Sequence, residues 1–215
     1  MPHEKTVTVF TFDELSDAAK EKARDWYREG VFNESHDWDH IVEDAATVAA
    51  LFGLTIGSRV YRTVGGKSGT EPAVYFSGFW NQGDGASFEG EYEFKADALA
   101  AVKAFAPTDA KLHDIVARLH AAQSISGPLS CRITQRGSYS HENTMLVDFY
   151  DYEGEAADNE LGFAQQRVEE SLKDFARWIY DGLKAEYEYQ SADEQVDESI
   201  RANAYEFTDD GKRYY

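Results

Sequence analysis

Tyr75-Phe76-Ser77-Gly78-Phe79-Trp80-Asn81-Gln82-Gly83-Asp84-Gly85-Ala86-Ser87-Phe88-Glu89-Gly90 reads as two aromatic strands around a turn of amides, glycines and one carboxylate. Asp-Gly between apolar runs is a strong hairpin signal, because glycine accepts positive φ and aspartate can bond its own backbone. Strands are expected at about Leu54–Arg62, Ala73–Phe79 and Ala86–Phe94. Gly65-Gly66-Lys67-Ser68-Gly69 and Gln82-Gly83-Asp84-Gly85 separate them, and such short connections suit an antiparallel meander. β-Branched and aromatic residues predict further strands at Thr6–Phe12, Leu129–Gln135 and Met145–Tyr150.

Helical periodicity surrounds this middle. Ser16-Asp17 is expected to cap a helix whose face is Ala19, Ala23, Trp26 and Tyr27. Trp38, Ile41, Val42, Ala45, Val48, Ala49 and Phe52 form the apolar face of the next helix, which Gly53 stops. Asp97 is expected to cap a short helix to Phe105, ended by Pro107, and Thr108 another carrying Leu112, Ile115, Val116 and Leu119. The longest helix runs from about Asn159 to Gln190 behind Val168, Leu172, Phe175, Ile179, Leu183 and Tyr187. A shorter one follows at about Ala192–Asn203, then a hairpin of Tyr205–Phe207 with Arg213–Tyr215 around Asp209-Asp210-Gly211. The expectation is one α+β domain over residues 1–215: an antiparallel β-sheet packed with amphipathic helices, one of them a long C-terminal helix.

Composition narrows the function classes. The chain is 42% hydrophobic and 14% aromatic, which suits a packed core and not a disordered acidic tail. It holds 40 acids against 21 bases, a net charge of −19. Residues 1–53 carry 12 acids and 5 bases, residues 54–150 carry 10 and 9, and residues 151–215 carry 18 and 7. The β-rich centre is therefore nearly neutral and the helical regions on either side are acidic. Direct nucleic-acid binding needs the opposite balance, since lysine and arginine must displace counterions from phosphates. An acidic surface attracts basic proteins instead, including those whose grooves hold nucleic acid. No apolar run approaches the roughly 20 residues needed to span a bilayer. Met1-Pro2-His3-Glu4-Lys5 leads into a strand pattern without a secretion-type apolar segment, and the lone Cys131 cannot form an internal disulfide. A cytoplasmic location with no membrane partner is expected.

The block Phe76-Ser77-Gly78-Phe79-Trp80-Asn81-Gln82-Gly83-Asp84-Gly85-Ala86-Ser87-Phe88 resembles a family of uncharacterised phage and prophage proteins. Many of these carry the label "antitoxin of a toxin–antitoxin stability system". Phe12–Lys20, Phe175–Tyr180, Glu186–Tyr189 and Asn203–Gly211 fit the same resemblance, which spans nearly the whole chain. It implies a mobile-element origin and supplies no catalytic residue or substrate.

Two candidate sites emerge. In the first, Asn81, Gln82 and Asp84 present hydrogen-bonding groups beside Phe79 and Trp80, as a nucleotide-like ligand requires. Arg132, Arg136, Tyr139 and His141 could serve the same ligand, since Leu129–His141 is a basic island suited to phosphate. The competing reading is a self-bonded hairpin turn and arginines exposed on strand faces. In the second, Glu169, Glu170, Asp174 and Asp181 of the long helix make an acidic partner-binding face. No catalytic residue, metal site or cofactor is expected. His36 and His40 have a chelating i, i+4 spacing but lack the glutamate of a zinc-protease motif, and His113 and His120 lack a third ligand. Gly65–Thr70 lacks the phosphate-loop spacing, and neither Cys131 nor Ser77 has a nucleophile context.

The leading expectation is a non-enzymatic anti-defence protein that inhibits a host defence or nucleic-acid-handling protein through an acidic surface. The alternative is a sponge that sequesters a nucleotide-derived signal near the Gln82–Gly85 turn. An antitoxin ranks third, because the sequence has no recognisable DNA-binding arm and no flexible neutralising tail.

Overall fold

The computed structural model describes residues 6–32, 38–62, 66, 68–150, 154 and 157–215, and the fold is α+β. The order is β1 (Phe10–Thr11), α1 (Asp17–Tyr27), α2 (Asp39–Leu51), β2 (Leu54–Ile56), β3 (Ser58–Arg62), β4 (Ser68–Pro72), β5 (Val74–Ser77), β6 (Gly85–Phe88) and β7 (Gly90–Glu93). There follow α3 (Ala98–Phe105), α4 (Ala110–Ser126), β8 (Ser130–Gln135), β9 (Met145–Phe149), the long α5 (Asp158–Gln190), α6 (Asp193–Ala202) and β10 (Glu206–Phe207).

The middle of the chain is not the simple meander its sequence suggests. Ser68–Pro72 is strand where the sequence predicts a loop at Gly65–Gly69, and each of the three long β segments, 54–62, 68–77 and 85–93, is split by one residue: Gly57, Ala73 or Glu89. The halves take different partners, β2 with β7, β3 with β4 and β5 with β6, all antiparallel. At the split, Gly57 N–H donates to Glu89 O (2.8 Å), Glu89 N–H to Ala73 O (3.0 Å), and Ala73 N–H to Gly57 O (2.7 Å). The three peptides thus close a ring that satisfies backbone groups that switching partners would otherwise orphan. Two of its corners are small residues, and a Cβ at Gly57 would meet that of Ala73 at an ordinary contact distance of 3.8 Å.

β7 continues from this junction into a four-stranded sheet of order β2-β7-β8-β9. Alternation along the strands sorts the side chains onto two faces. Leu54, Tyr92, Cys131, Ile133 and Met145 are buried in one core with Ala45, Val48 and Phe52 of α2, Leu112, Ile115 and Leu119 of α4, and Val168, Leu172, Phe175 and Ile179 of α5. Phe175 is its centre, edge-on to Phe52 at 4.9 Å and Phe88 at 5.9 Å and stacked on Trp178 at 5.4 Å. On the opposite face Thr55, Glu91, Arg132 and Asp148 stand in one cross-strand row, all exposed. An antiparallel sheet with one packed and one open face produces this pattern.

Contacts gather into two compact units, residues 38–183 and the pair 1–37 with 184–215. In the latter, α1 and α6 pack Ala19, Ala23, Tyr27, Val196 and Ile200 around Phe12 and Phe207. Arg24 bonds Asp197 through both arms, at 2.7 and 2.8 Å. The expected strand Thr6–Phe12 shrinks to Phe10–Thr11, because Phe12–Glu14 coils into a 3₁₀ turn in which Glu14 accepts from Thr11 N–H (2.8 Å). The expected terminal hairpin forms as a short one: Thr208 N–H donates to Lys212 O (2.9 Å) and Tyr214 N–H to Glu206 O (2.9 Å) about the bridge Phe207–Arg213, while β10 also pairs with β1. Two caps also differ. Asp109, not Thr108, caps α4 by accepting from Leu112 N–H (2.9 Å), and Asp97 sits at the start of α3 without a side-chain cap bond. Ser16 caps α1 as expected. Among the described residues no helix is long and apolar enough to cross a membrane.

The β2–β7 contact sets a test of this packing. A Cβ at Gly90 would lie 2.3 Å from Thr55 O, whereas one at Gly57 would approach Glu89 O only to 3.4 Å. Gly90→Ala is expected to cost about 2 kcal/mol or more, as overpacking does, and Gly57→Ala less than about 1 kcal/mol. Paired denaturant melts measure both.

Candidate functional site

The β5–β6 hairpin ends at the pair Ser77–Gly85, and the intervening loop is built around Asp84. Asp84 Oδ2 accepts from the backbone N–H groups of Trp80 (2.8 Å) and Asn81 (2.6 Å), and Asp84 N–H donates to Asn81 O (3.1 Å). Gly78 must lack a side chain, because a Cβ would sit 2.7 Å from that carboxylate, and Gly83 takes φ +95°. Tyr180 of α5 donates its hydroxyl to Gly78 O (3.1 Å), and its ring lies 5.7 Å from that of Phe79. Trp38 closes the other side against Phe76 (5.5 Å) and Phe79 (5.6 Å). Burial, with the charges of Asp84 and Asp181, pushes the Tyr180 hydroxyl above its ordinary pKa and keeps it a donor.

A second loop, between β8 and β9, lies against the first. Arg136 N–H donates to Thr144 O (2.9 Å) and Gln135 Nε2 to Tyr139 O (2.9 Å). Tyr139 covers Gly83, where a Cβ would be 3.8 Å from its ring, and His141 packs on Gly85. Glu142 is buried between Arg177 Nε (2.8 Å) and His141 Nδ1 (3.0 Å). The structure therefore brings Phe79, Trp80, Asn81, Gln82 and Asp84 together with Tyr139 and His141. What this cluster shows to solvent is aromatic: Trp80 is 68% exposed and Tyr139 66%.

Of the basic island, Arg132 does not join this cluster. Arg132 stands on the open sheet face, paired with Glu91 at 3.2 Å, while Arg136 is exposed where the second loop begins. The acidic helix face is partly engaged too. Glu169 holds Lys173 (2.6 Å), Glu170 accepts from Gln166 (2.9 Å), Asp181 holds Lys111 (2.5 Å), and Asp174 is clamped by Arg118 (2.6 Å) and Arg177 (2.5 Å). Sequence reasoning missed the row Glu89, Glu91, Glu93, which the period of two in Glu-Gly-Glu-Tyr-Glu signals. A shallow groove of about 410 Å³ is lined by Thr55, Glu89, Glu91, Arg132 and Thr134. A smaller one of about 190 Å³ lies beside Glu93, Ser130 and Tyr150.

A sequence model described as a domain of unknown function, DUF8835, matches residues 38–193. The chain belongs to the DUF8835 family. No curated protein and no solved structure matches it. The DUF8835 match begins at Trp38, the first residue of the larger compact unit, and takes in both loops and the whole four-stranded sheet.

Within the DUF8835 region, Cys131 of β8 is buried, and burial, with the charge of Glu169, pushes its thiol up to about 12. His113 Nε2 pairs with Ala106 O (2.8 Å), His120 packs on Phe94 (5.7 Å), and His40 is exposed on α2. His36 lies outside the described residues. Among those described, no three His, Cys, Asp or Glu side chains are grouped to hold a metal ion.

The loop geometry and the Asp174 clamp each set a test. Asp84→Ala leaves two amides uncapped, at a cost of about 1–2 kcal/mol. Amide hydrogen exchange at Trp80 and Asn81 should speed about tenfold or more, with exchange in the β2–β7 ladder unchanged. Burial pushes the Asp174 carboxyl up, but hydrogen bonds and charge from Arg118 and Arg177 outweigh it and hold the pKa below the ordinary 3.8. A depressed pKa stabilises the fold above the unfolded value and is lost as pH falls through the folded one. Asp174→Asn should therefore lower the melting temperature at pH 7, and the gap to the wild type should close as pH drops below about 4.

Proposed function

We propose that this DUF8835 protein is a non-catalytic binding protein whose partner is a basic protein. The observation that supports it is the disposition of charge. Arg24, Arg28, Lys111, Arg118, Arg132, Lys173, Arg177 and Arg201 are each ion-paired to carboxylates of the same chain. The net charge is −19, and among the described residues Glu93, Asp148, Glu194 and Glu198 are exposed acids. A field of this sign speeds encounter with a basic partner and repels nucleic acid. Trp80 and Tyr139 add the anchors. Exposed aromatics on loops tied down by internal hydrogen bonds lose less entropy on docking, and Trp and Tyr are common hot spots. The partner class that fits is a host defence or nucleic-acid-handling protein whose groove normally takes a phosphate backbone. In this reading the protein is a mobile-element inhibitor.

A second reading draws on the convergence of Trp80, Tyr139 and His141: a nucleotide-derived signal stacked on the two exposed rings. Such a ligand would copurify and could be identified by mass spectrometry after denaturation.

The test uses the partner recovered from defence-expressing cells, with association followed by interferometry. Its on-rate should fall steeply with salt, since charges further apart than about 8 Å are screened at physiological ionic strength. Trp80→Ala and Tyr139→Ala should each weaken the complex by about 2 kcal/mol or more. A salt-independent on-rate would refute the electrostatic reading, and a copurified nucleotide lost in Trp80→Ala would favour the second.

A further inference from the structure

We propose that the open face of the four-stranded sheet is the docking surface, and that its occupant is an extended, basic segment of the partner. This rests on the binding-protein reading and locates its contact. β7 directs Glu91 and Glu93 to one face, with the junction residue Glu89 just before it lining the same groove, at every second residue and a repeat of about 7 Å. An extended peptide repeats its own alternate side chains at the same spacing, so arginines or lysines at every second position would meet successive carboxylates. Asp148 extends the row across the sheet, in register with Arg132 and Glu91. The face carries these four acids against one base, Arg132.

The groove along β7 is more than a charged patch. Gly57 contributes to its lining without a side chain, which lets another backbone come close. Thr134 lines it too, and its Oγ1 is screened from solvent with no hydrogen-bond partner among the described residues. The Arg132–Glu91 pair is a weak barrier, since both side chains are 59% exposed and such surface pairs contribute little. An incoming guanidinium can replace it. Tyr150, whose hydroxyl donates to Glu91 (3.1 Å), offers its ring for cation–π contact. Glu89 is more committed, accepting from Tyr75 Oη (3.1 Å) and Gln135 N–H (3.2 Å). Gln135 in turn donates to Tyr139 O, so the acidic row runs directly to the exposed aromatic loop. Charge also selects the occupant. A second copy of a chain with net −19 is repelled, whereas a basic segment is drawn in.

The experiment measures fluorescence anisotropy of a labelled (Arg-Thr)₅ decapeptide against the full chain. The face variant is Glu91→Gln/Glu93→Gln/Asp148→Asn. A control of equal charge change, Glu43→Gln/Asp44→Asn/Asp158→Asn, lies on exposed helix positions. The face variant should bind about tenfold or more weakly and the control within about threefold of wild type, as local pairs outweigh the general field. Arg132→Gln should tighten binding, and a peptide with its arginines contiguous should bind less well than the alternating one. Equal losses in face and control variants would refute the location while leaving the acidic-surface reading standing. Failure of the wild type to bind either peptide would overturn both. A wild-type dimer that the face variant dissociates would make the occupant a second copy and overturn the basic-segment assignment.

Discussion

Three backbone hydrogen bonds, closed in a ring through Gly57, Ala73 and Glu89, govern the arrangement of the β-rich centre. Each belongs to a residue at which a strand changes partner, so losing one would unsatisfy a peptide group in two ladders at once. Because the ring splits three strands into six, β7 is free to enter the four-stranded sheet while β6 stays paired with β5. The sheet face and the β5–β6 loop are thereby products of one junction. The Glu89 side chain reinforces it, bonding Tyr75 on one neighbour and Gln135 on another.

Function, on the reading proposed, follows from what is rigid and what is left over. Asp84, Tyr180 and the Trp38–Phe76–Phe79 contacts hold the loop that carries Trp80. Asp84, which sequence inspection nominates for a ligand, is spent on that support, and the exposed rings of Trp80 and Tyr139 are left at the surface. Charge follows the same logic. Half-buried Asp174 is committed to two arginines, whereas Glu93 and Asp148 stand exposed on a sheet face that no described helix covers.

The sequence alone determined most of the elements and the sign of the field. Periods of three to four residues placed α2 and α5, and the start of α4, within one or two residues, because burying an apolar stripe demands that period. Ser16 was legible as a cap, and the strands at β8 and β9 were legible to within one residue at each end. Net charge is a sum over residues and needs no structure. Tertiary structure alone decided where strands change partner, since a small residue such as Gly57 or Ala73 carries no local mark of a junction between segments far apart in sequence. It alone decided that Asp109 rather than Thr108 caps α4, because the Asp109 carboxylate is also held by Trp178 Nε1 (2.8 Å), 69 residues away. And it alone separated Arg132 from Asp84 and aligned Glu91 with Arg132 and Asp148, for cross-strand register is a property of pairing that no single strand contains.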